Sequence, residues 1–163
     1  MHVAFNASSE SRKAPVNILF SNDFTNASLD SPYHEAGEPW TPEVLYGQVN
    51  ETLDIGIDAH LLQPAHTWVP WWQSDVYPME EHYRWWQKKY GNKPKNAVHE
   101  YILEGGDPMA DFVNYCHKKD MPAFISLRLN DIHHLAHADD PHNTRGPHAI
   151  CRFYVENPKY RIG

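Results

Sequence analysis

The fold is decided by two stretches, Val16-Asn17-Ile18-Leu19-Phe20-Ser21-Asn22-Asp23 and Ile57-Asp58-Ala59-His60-Leu61-Leu62-Gln63-Pro64. Each is a short apolar run that turns polar at its end, which is typical of a buried strand. Between them, Thr41-Pro42-Glu43 predicts a helix start with Thr41 as the N-cap, and Gly56 predicts its end. Strand, helix and strand in this order form a βαβ unit, in which the two strands pair in parallel.

The same order recurs further along the chain. Asp107-Pro108 predicts another helix start, with Asp107 as the cap and Pro108 in the first turn. A third strand is predicted over Ala123-Phe124-Ile125-Ser126-Leu127-Arg128-Leu129, which runs into polar residues. Two further helices are predicted ahead of that helix, over residues 80–90 and 98–103. The chain is therefore predicted to be an α/β protein built from parallel (β/α) units, with about three strands.

Composition limits the kinds of protein this chain can be. Its 163 residues are 41% hydrophobic and 21% charged, which suits one globular domain. Residues 1–14 are polar and are predicted to form a flexible N-terminal arm, with the folded part over 15–163. Lys and Arg number 14 against 21 Asp and Glu, and the net charge of -7 with no basic run argues against a nucleic-acid partner.

The sequence also argues against a membrane partner. No segment approaches the roughly 20 apolar residues that span a bilayer, and the N-terminus does not resemble a signal peptide. We expect a soluble protein, either cytoplasmic or exported with its signal removed. Cys116 and Cys151 lack the spacing of metal ligands and are expected to be free thiols. No cofactor is predicted.

Polar side chains follow every predicted strand. Loops gather at the carboxyl ends of parallel strands, so ligand sites form there. We expect ligand contacts from Asn22, Asp23, Gln63, Asn130 and Asp131. The two-residue period of a strand also places Arg128 on the face opposite Leu127, turned away from the helices. Arg128 is there either a structural ion-pair partner or a ligand clamp, and we favour the clamp.

A Trp-rich segment, Trp68-Val69-Pro70-Trp71-Trp72, follows the second predicted strand. The flat apolar faces of Trp suit stacking on sugar rings, although the same residues also suit a loop that is pinned to the rim of the fold. The polar residues around this segment favour a position near the ligand, so we predict substrate contact for Trp71 and Trp72.

A histidine cluster follows the third predicted strand. His133 and His137 are four residues apart and would share one helix face, which is a spacing suited to Zn or Ni. No Glu occupies the metalloprotease position, so that chemistry is not supported. The alternatives are a polar surface loop, or substrate contacts from His133 and His134. We predict substrate contacts and keep a metal-dependent hydrolase that uses His133 and His137 as an alternative.

Several of these segments resemble the N-terminal part of a glycoside-hydrolase-like TIM-barrel family. The resemblance is carried by residues 17–23, by residues 60–64 with the Trp-rich segment, by residues 126–131 and by residues 152–163. It implies that residues 15–163 are the N-terminal portion of a (β/α)8-type domain, because a complete barrel needs about 250 residues and eight strands. It also implies a carbohydrate substrate and hydrolysis of glycosidic bonds.

Glycosidases of this kind use a pair of carboxylates, one of them as an acid. The resemblance places the acids of the family on a strand beyond Gly163, so we expect the catalytic pair to be absent from this chain. Asp23 and Asp131 are candidates because they follow predicted strands, although carboxylates at strand ends can equally hold sugar hydroxyls. The other alternative is a non-catalytic sugar-binding or structural α/β module. Because an incomplete barrel leaves an open sheet edge, we also expect a homo-oligomer through that edge.

Overall fold

The computed structural model describes residues 15–25, 32–35, 37–66, 68–92, 95–128, 139 and 150–161. The predicted N-terminal arm, residues 1–14, lies outside this part of the chain. Three parallel strands form one sheet in the order β1-β2-β5, and a short antiparallel hairpin, β3 and β4, follows β2. The strands are β1 (Leu19–Asp23), β2 (Ala59–Gln63), β3 (Ala65–His66), β4 (Val69–Pro70) and β5 (Ala123–Ile125). The α/β class and the parallel pairing are confirmed.

Five α-helices and a 3-10 turn accompany these strands in the described residues. They are α1 (Glu43–Glu51), α2 (Met79–Tyr90), α3 (Ala97–Leu103), α4 (Pro108–Lys118), α5 (Arg152–Glu156) and the turn at Pro158–Tyr160. The predicted cap of α4 is confirmed, since Asp107 Oδ1 accepts from the backbone N–H groups of Met109 and Ala110, both at 3.1 Å. None of these helices is long and apolar enough to cross a membrane.

The ends of α1 differ from the prediction. Pro42, rather than Thr41, is the N-cap, and its side chain makes no capping bond. The carbonyl of Thr41 instead accepts from Val44 N–H at 3.2 Å, which tightens the first turn. The helix ends at Glu51, and a series of turns leads on to Gly56, which has a positive φ of 88°. Gly56 therefore ends the connection rather than the helix.

The third strand is shorter than predicted, and β2 explains why. Ser126 N–H still donates to Leu62 C=O at 2.9 Å, but the ladder stops there. Pro64 follows β2, has no N–H to offer, and has its carbonyl occupied by Trp71 N–H at 3.1 Å. Leu127 and Arg128, the described residues that follow Ser126, consequently lie outside the strand.

One face of the sheet is covered by α1 and α4. His60 on β2 contacts Thr52, which directly follows α1, through its Nε2 atom, and its ring lies 6.2 Å from the ring of Phe112 on α4. Leu62 points to the same face and is 1% exposed. This side of the sheet forms the core that fixes the strands.

The opposite face of the sheet carries large apolar side chains that are partly exposed. Leu61 and Phe124 are register partners on neighbouring strands, and Leu19 lies on the same side of β1. Leu19 is 44% exposed and Phe124 is 47% exposed. A parallel sheet is normally covered on both faces, so this surface is unusual for a folded α/β domain.

His60 makes stability depend on pH. Burial lowers its pKa below the ordinary 6.5. Below pH 6.5 the unfolded chain takes up the proton first, so the free energy of unfolding is expected to fall as the pH drops toward the lowered pKa. We expect urea unfolding at pH 7.5 and 5.0 to show that the free energy of unfolding falls more between these pH values in the wild type than in His60→Gln. Equal losses in the two proteins would show that His60 does not contribute.

Candidate functional site

Three predicted site residues meet at the carboxyl end of the sheet. Arg128 Nη2 donates to Asp23 Oδ2 at 2.8 Å and to Gln63 Oε1 at 2.5 Å. Asp23 and Gln63 are register partners at the last positions of β1 and β2, and Arg128 follows β5. One guanidinium thus joins the ends of all three strands. We call Asp23, Gln63 and Arg128 the strand-end cluster.

Asp23 is held in place by Thr25, which the sequence analysis did not single out. Asp23 Oδ1 accepts from Thr25 N–H at 3.0 Å and from Thr25 Oγ1 at 2.6 Å. This is the local turn that an Asp forms with the backbone two residues later, so the Asp-x-Thr spacing was the available signal. The carboxylate therefore has a fixed orientation toward Arg128.

Asp23 is ionised at neutral pH. Burial raises its pKa, but the hydrogen bonds from Thr25 and the charge of Arg128 outweigh that effect and hold the pKa below its ordinary value. A carboxylate in this state accepts hydrogen bonds or acts as a base or nucleophile. It does not supply the proton that a glycosidic leaving group needs.

The strand-end cluster has hydrogen-bond donors left over. Both bonds of Arg128 leave from Nη2, so Nη1 and Nε make no hydrogen bond within the described part of the chain. The amide nitrogen of Gln63 is likewise unused there. The side chain of Arg128 is 34% exposed and that of Asp23 is 25% exposed. The cluster is therefore accessible, donor-rich and neutral in total charge.

Asn22 stands apart from this cluster. Its Nδ2 donates to Gln48 Oε1 on α1, on the covered face of the sheet. Side chains alternate between faces along a strand, so the position before Asp23 points toward the helices. The structure does not bring Asn22 together with Asp23, Gln63 and Arg128.

The two predicted stacking residues occupy different environments. Trp71 is 0% exposed, with its ring 4.9 Å from Phe24 and 5.7 Å from His99, both edge-to-face. A ring without an exposed face cannot stack on a sugar, so Trp71 serves the core in this conformation. Trp72 is only half-buried. Trp68, at the tip of the hairpin, is 38% exposed and was not among the predicted contacts.

The remaining predicted contacts are Asn130, Asp131, His133, His134 and the metal candidate His137, all outside the described residues. Within the described part of the chain, no group of three His, Cys, Asp or Glu side chains is arranged to hold a metal ion. Both cysteines are buried free thiols, as predicted, and burial raises the pKa of Cys116 to about 12. Burial therefore favours the protonated thiol of Cys116 at neutral pH.

Two surface grooves lie elsewhere on the molecule. One of about 610 Å³ runs between residues 37–40 and α3, over Trp40, Glu100 and Tyr101. The other, of about 660 Å³, runs between α2 and α5, over Trp85 and Arg152. Neither groove includes a residue of the strand-end cluster. We place the candidate site at the strand-end cluster because, unlike the linings of these grooves, it joins polar side chains from the ends of three strands.

Comparison with known proteins does not assign the chain to a family. No protein-family model matches the chain, and no curated protein is similar to it. The case for function therefore depends on the geometry of the strand-end cluster.

Proposed function

We propose that this protein binds a carbohydrate at the strand-end cluster, as part of a glycoside-hydrolase-like (β/α) barrel. The observation that carries the proposal is the Arg128 guanidinium, which fixes Asp23 and Gln63 and whose Nη1 and Nε atoms make no hydrogen bond to any other described residue. Sugar hydroxyls accept hydrogen bonds from such donors and give them to carboxylates. The position also supports the proposal, because α/β proteins bind ligands at the carboxyl ends of their parallel strands.

The exposed face of the sheet supports the barrel part of the proposal. The interior of a (β/α)8 barrel is filled by layers of apolar side chains that point inward from the strands. Leu61 and Phe124 are register partners that would point into such an interior, and Leu19 lies two positions before Ser21, their partner on β1, while α1 and α4 pack on the other face. Arg128 and Asp23 lie on the same face, at the carboxyl ends of the strands. In a barrel this position would be at the mouth. Further (β/α) units would complete the barrel.

Trp72 is the proposed stacking residue. It follows the hairpin that starts two residues after Gln63, and unlike Trp71 it is only half-buried. A stacked aromatic ring contributes about 0.5–1.5 kcal/mol beyond simple burial in comparable contacts. Sugar binding would therefore combine hydrogen bonds from the cluster with one apolar platform.

Hydrolysis needs more than the cluster provides. Asp23 is ionised and would serve as a nucleophile, a base or a hydroxyl partner, so the general acid must be another carboxyl group. Asp131 remains a predicted candidate. The second proposal, a non-catalytic sugar-binding module, is favoured by the three hydrogen bonds that already occupy Asp23, since they suit a positioning role.

The proposal is tested by ligand-observed NMR with a panel of neutral oligosaccharides that differ in sugar and linkage. We expect at least one to bind and Trp72→Ala to weaken that binding at least threefold. Release of reducing ends on incubation would identify a hydrolase, and binding without release would identify the module. If no oligosaccharide bound at millimolar concentration, the proposed function would be wrong.

A further inference from the structure

We infer that the strand-end cluster selects neutral, hydroxyl-rich sugars over sugars that carry carboxylate groups. The inference rests on the proposed function and specifies its substrate class. It follows from how the donors of Arg128 are already used and from the charge that surrounds them.

The first argument is the geometry of the guanidinium. Arginine binds a carboxylate best through a fork of two parallel N–H bonds, made by Nη2 together with Nη1 or Nε. In this structure Nη2 donates to both Asp23 and Gln63, so its two hydrogens are occupied. Among the described residues, the Nε–H and the two N–H groups of Nη1 have no hydrogen-bond partner, and no two of these remaining N–H bonds are parallel. Single donors suit hydroxyl oxygens, whereas a uronate would find no fork.

The second argument is charge. Asp23 and Arg128 cancel each other, and Thr25 prevents Asp23 from turning away to make room for another anion. A ligand carboxylate would be placed near the Asp23 carboxylate, where like charges repel. The chain as a whole carries a net charge of -7, which adds a long-range repulsion toward acidic polysaccharides.

Matched ligand pairs test the inference. Each pair is a neutral oligosaccharide and the same oligomer oxidised at C6 to the uronate, for example β-1,4-mannan and β-1,4-mannuronan oligomers, or cello-oligosaccharides and their β-1,4-glucuronan counterparts. Binding is measured at 150 mM salt, where repulsion beyond about 8 Å is screened. We expect the neutral member of the bound pair to bind at least tenfold more tightly.

Asp23→Asn separates the local effect from the global one. It removes the carboxylate that balances Arg128, so the ratio of neutral to uronate affinity is expected to fall at least fivefold. Glu81→Gln is the control, because it changes the net charge equally but pairs with Arg152, away from the strand ends. The control should leave the ratio within about twofold of the wild type.

The outcomes separate the two claims. A uronate that binds as tightly as its neutral partner, or an Asp23→Asn ratio equal to that of the wild type, would overturn the inference while the proposed function stood. The absence of binding by either member of every pair would overturn the proposed function itself. Thermal unfolding of each variant confirms that the measured protein is folded.

Discussion

Replacement of Trp71 by Ala is expected to lower the free energy of unfolding by about 3–5 kcal/mol, the range seen when a large buried aromatic is truncated. Trp71 is 0% exposed and contacts the rings of Phe24 and His99. Its backbone N–H also ties the hairpin to Pro64 at the end of β2. Urea unfolding followed by circular dichroism measures the loss. Trp71→Phe keeps most of the ring and covers the case in which the Ala variant does not fold.

Trp72→Ala is the matched control for this prediction. Trp72 is the next residue but is only half-buried, so its truncation should cost less than about 2 kcal/mol of unfolding free energy. The effects on sugar affinity should be the reverse of the effects on stability. Trp72→Ala should weaken sugar binding, and a folded Trp71→Phe should leave sugar binding unchanged. Equal destabilisation by Trp71→Ala and Trp72→Ala would contradict the division of roles between the two residues.

Replacement of Arg128 by Met is expected to weaken sugar binding at least tenfold. The variant loses the Nη1 and Nε donors, which make no bond to other described residues, and it also releases Asp23 and Gln63 from their fixed positions. Hydrogen bonds to charged groups contribute about 1.5–3 kcal/mol each, which corresponds to a factor of about 10 to 150. The unfolding free energy should fall by only about 1 kcal/mol or less, because the ion pair is partly exposed.

Arg152→Met provides the control for Arg128→Met. Arg152 is similarly exposed, at 38%, and pairs with Glu81 on α2 and with Glu156 on its own helix, α5. Its loss should change the unfolding free energy by a similar amount and leave sugar affinity within about twofold. If the two arginine variants lost sugar affinity equally, the effect of Arg128 would be a general destabilisation rather than a ligand contact.

Signals within short segments account for what the sequence predicted correctly. Asp107 and Pro108 predict the start of α4 because the cap needs only neighbouring backbone N–H groups. Gly91 predicts the end of α2 because the chain there adopts a φ of 71°, which suits glycine. The three apolar runs predict strands because each signal again lies within one short segment of the sequence. The length of β5 depends on Pro64 in a neighbouring strand, so it was overestimated.

The site required information that the sequence does not carry. Period two predicts that Asn22 and Asp23 point to opposite faces, but which of them faces the helices depends on register with β2. The sequence likewise predicted one role for Trp71 and Trp72, although the structure buries Trp71 in the core and leaves Trp72 half-buried. The arginine bridge across three strands depends entirely on tertiary packing.

The central claim, that the strand-end cluster binds a neutral sugar, is tested most directly by protein NMR during a titration with the oligosaccharide that binds. The reporters are the Arg128 Nε–H and Gln63 side-chain amide signals, with Arg152 Nε–H as the reporter for the groove between α2 and α5. We expect the largest shifts at Arg128 and Gln63, with Arg152 unchanged. Saturable shifts at Arg152 with none at Arg128 and Gln63 would contradict the account.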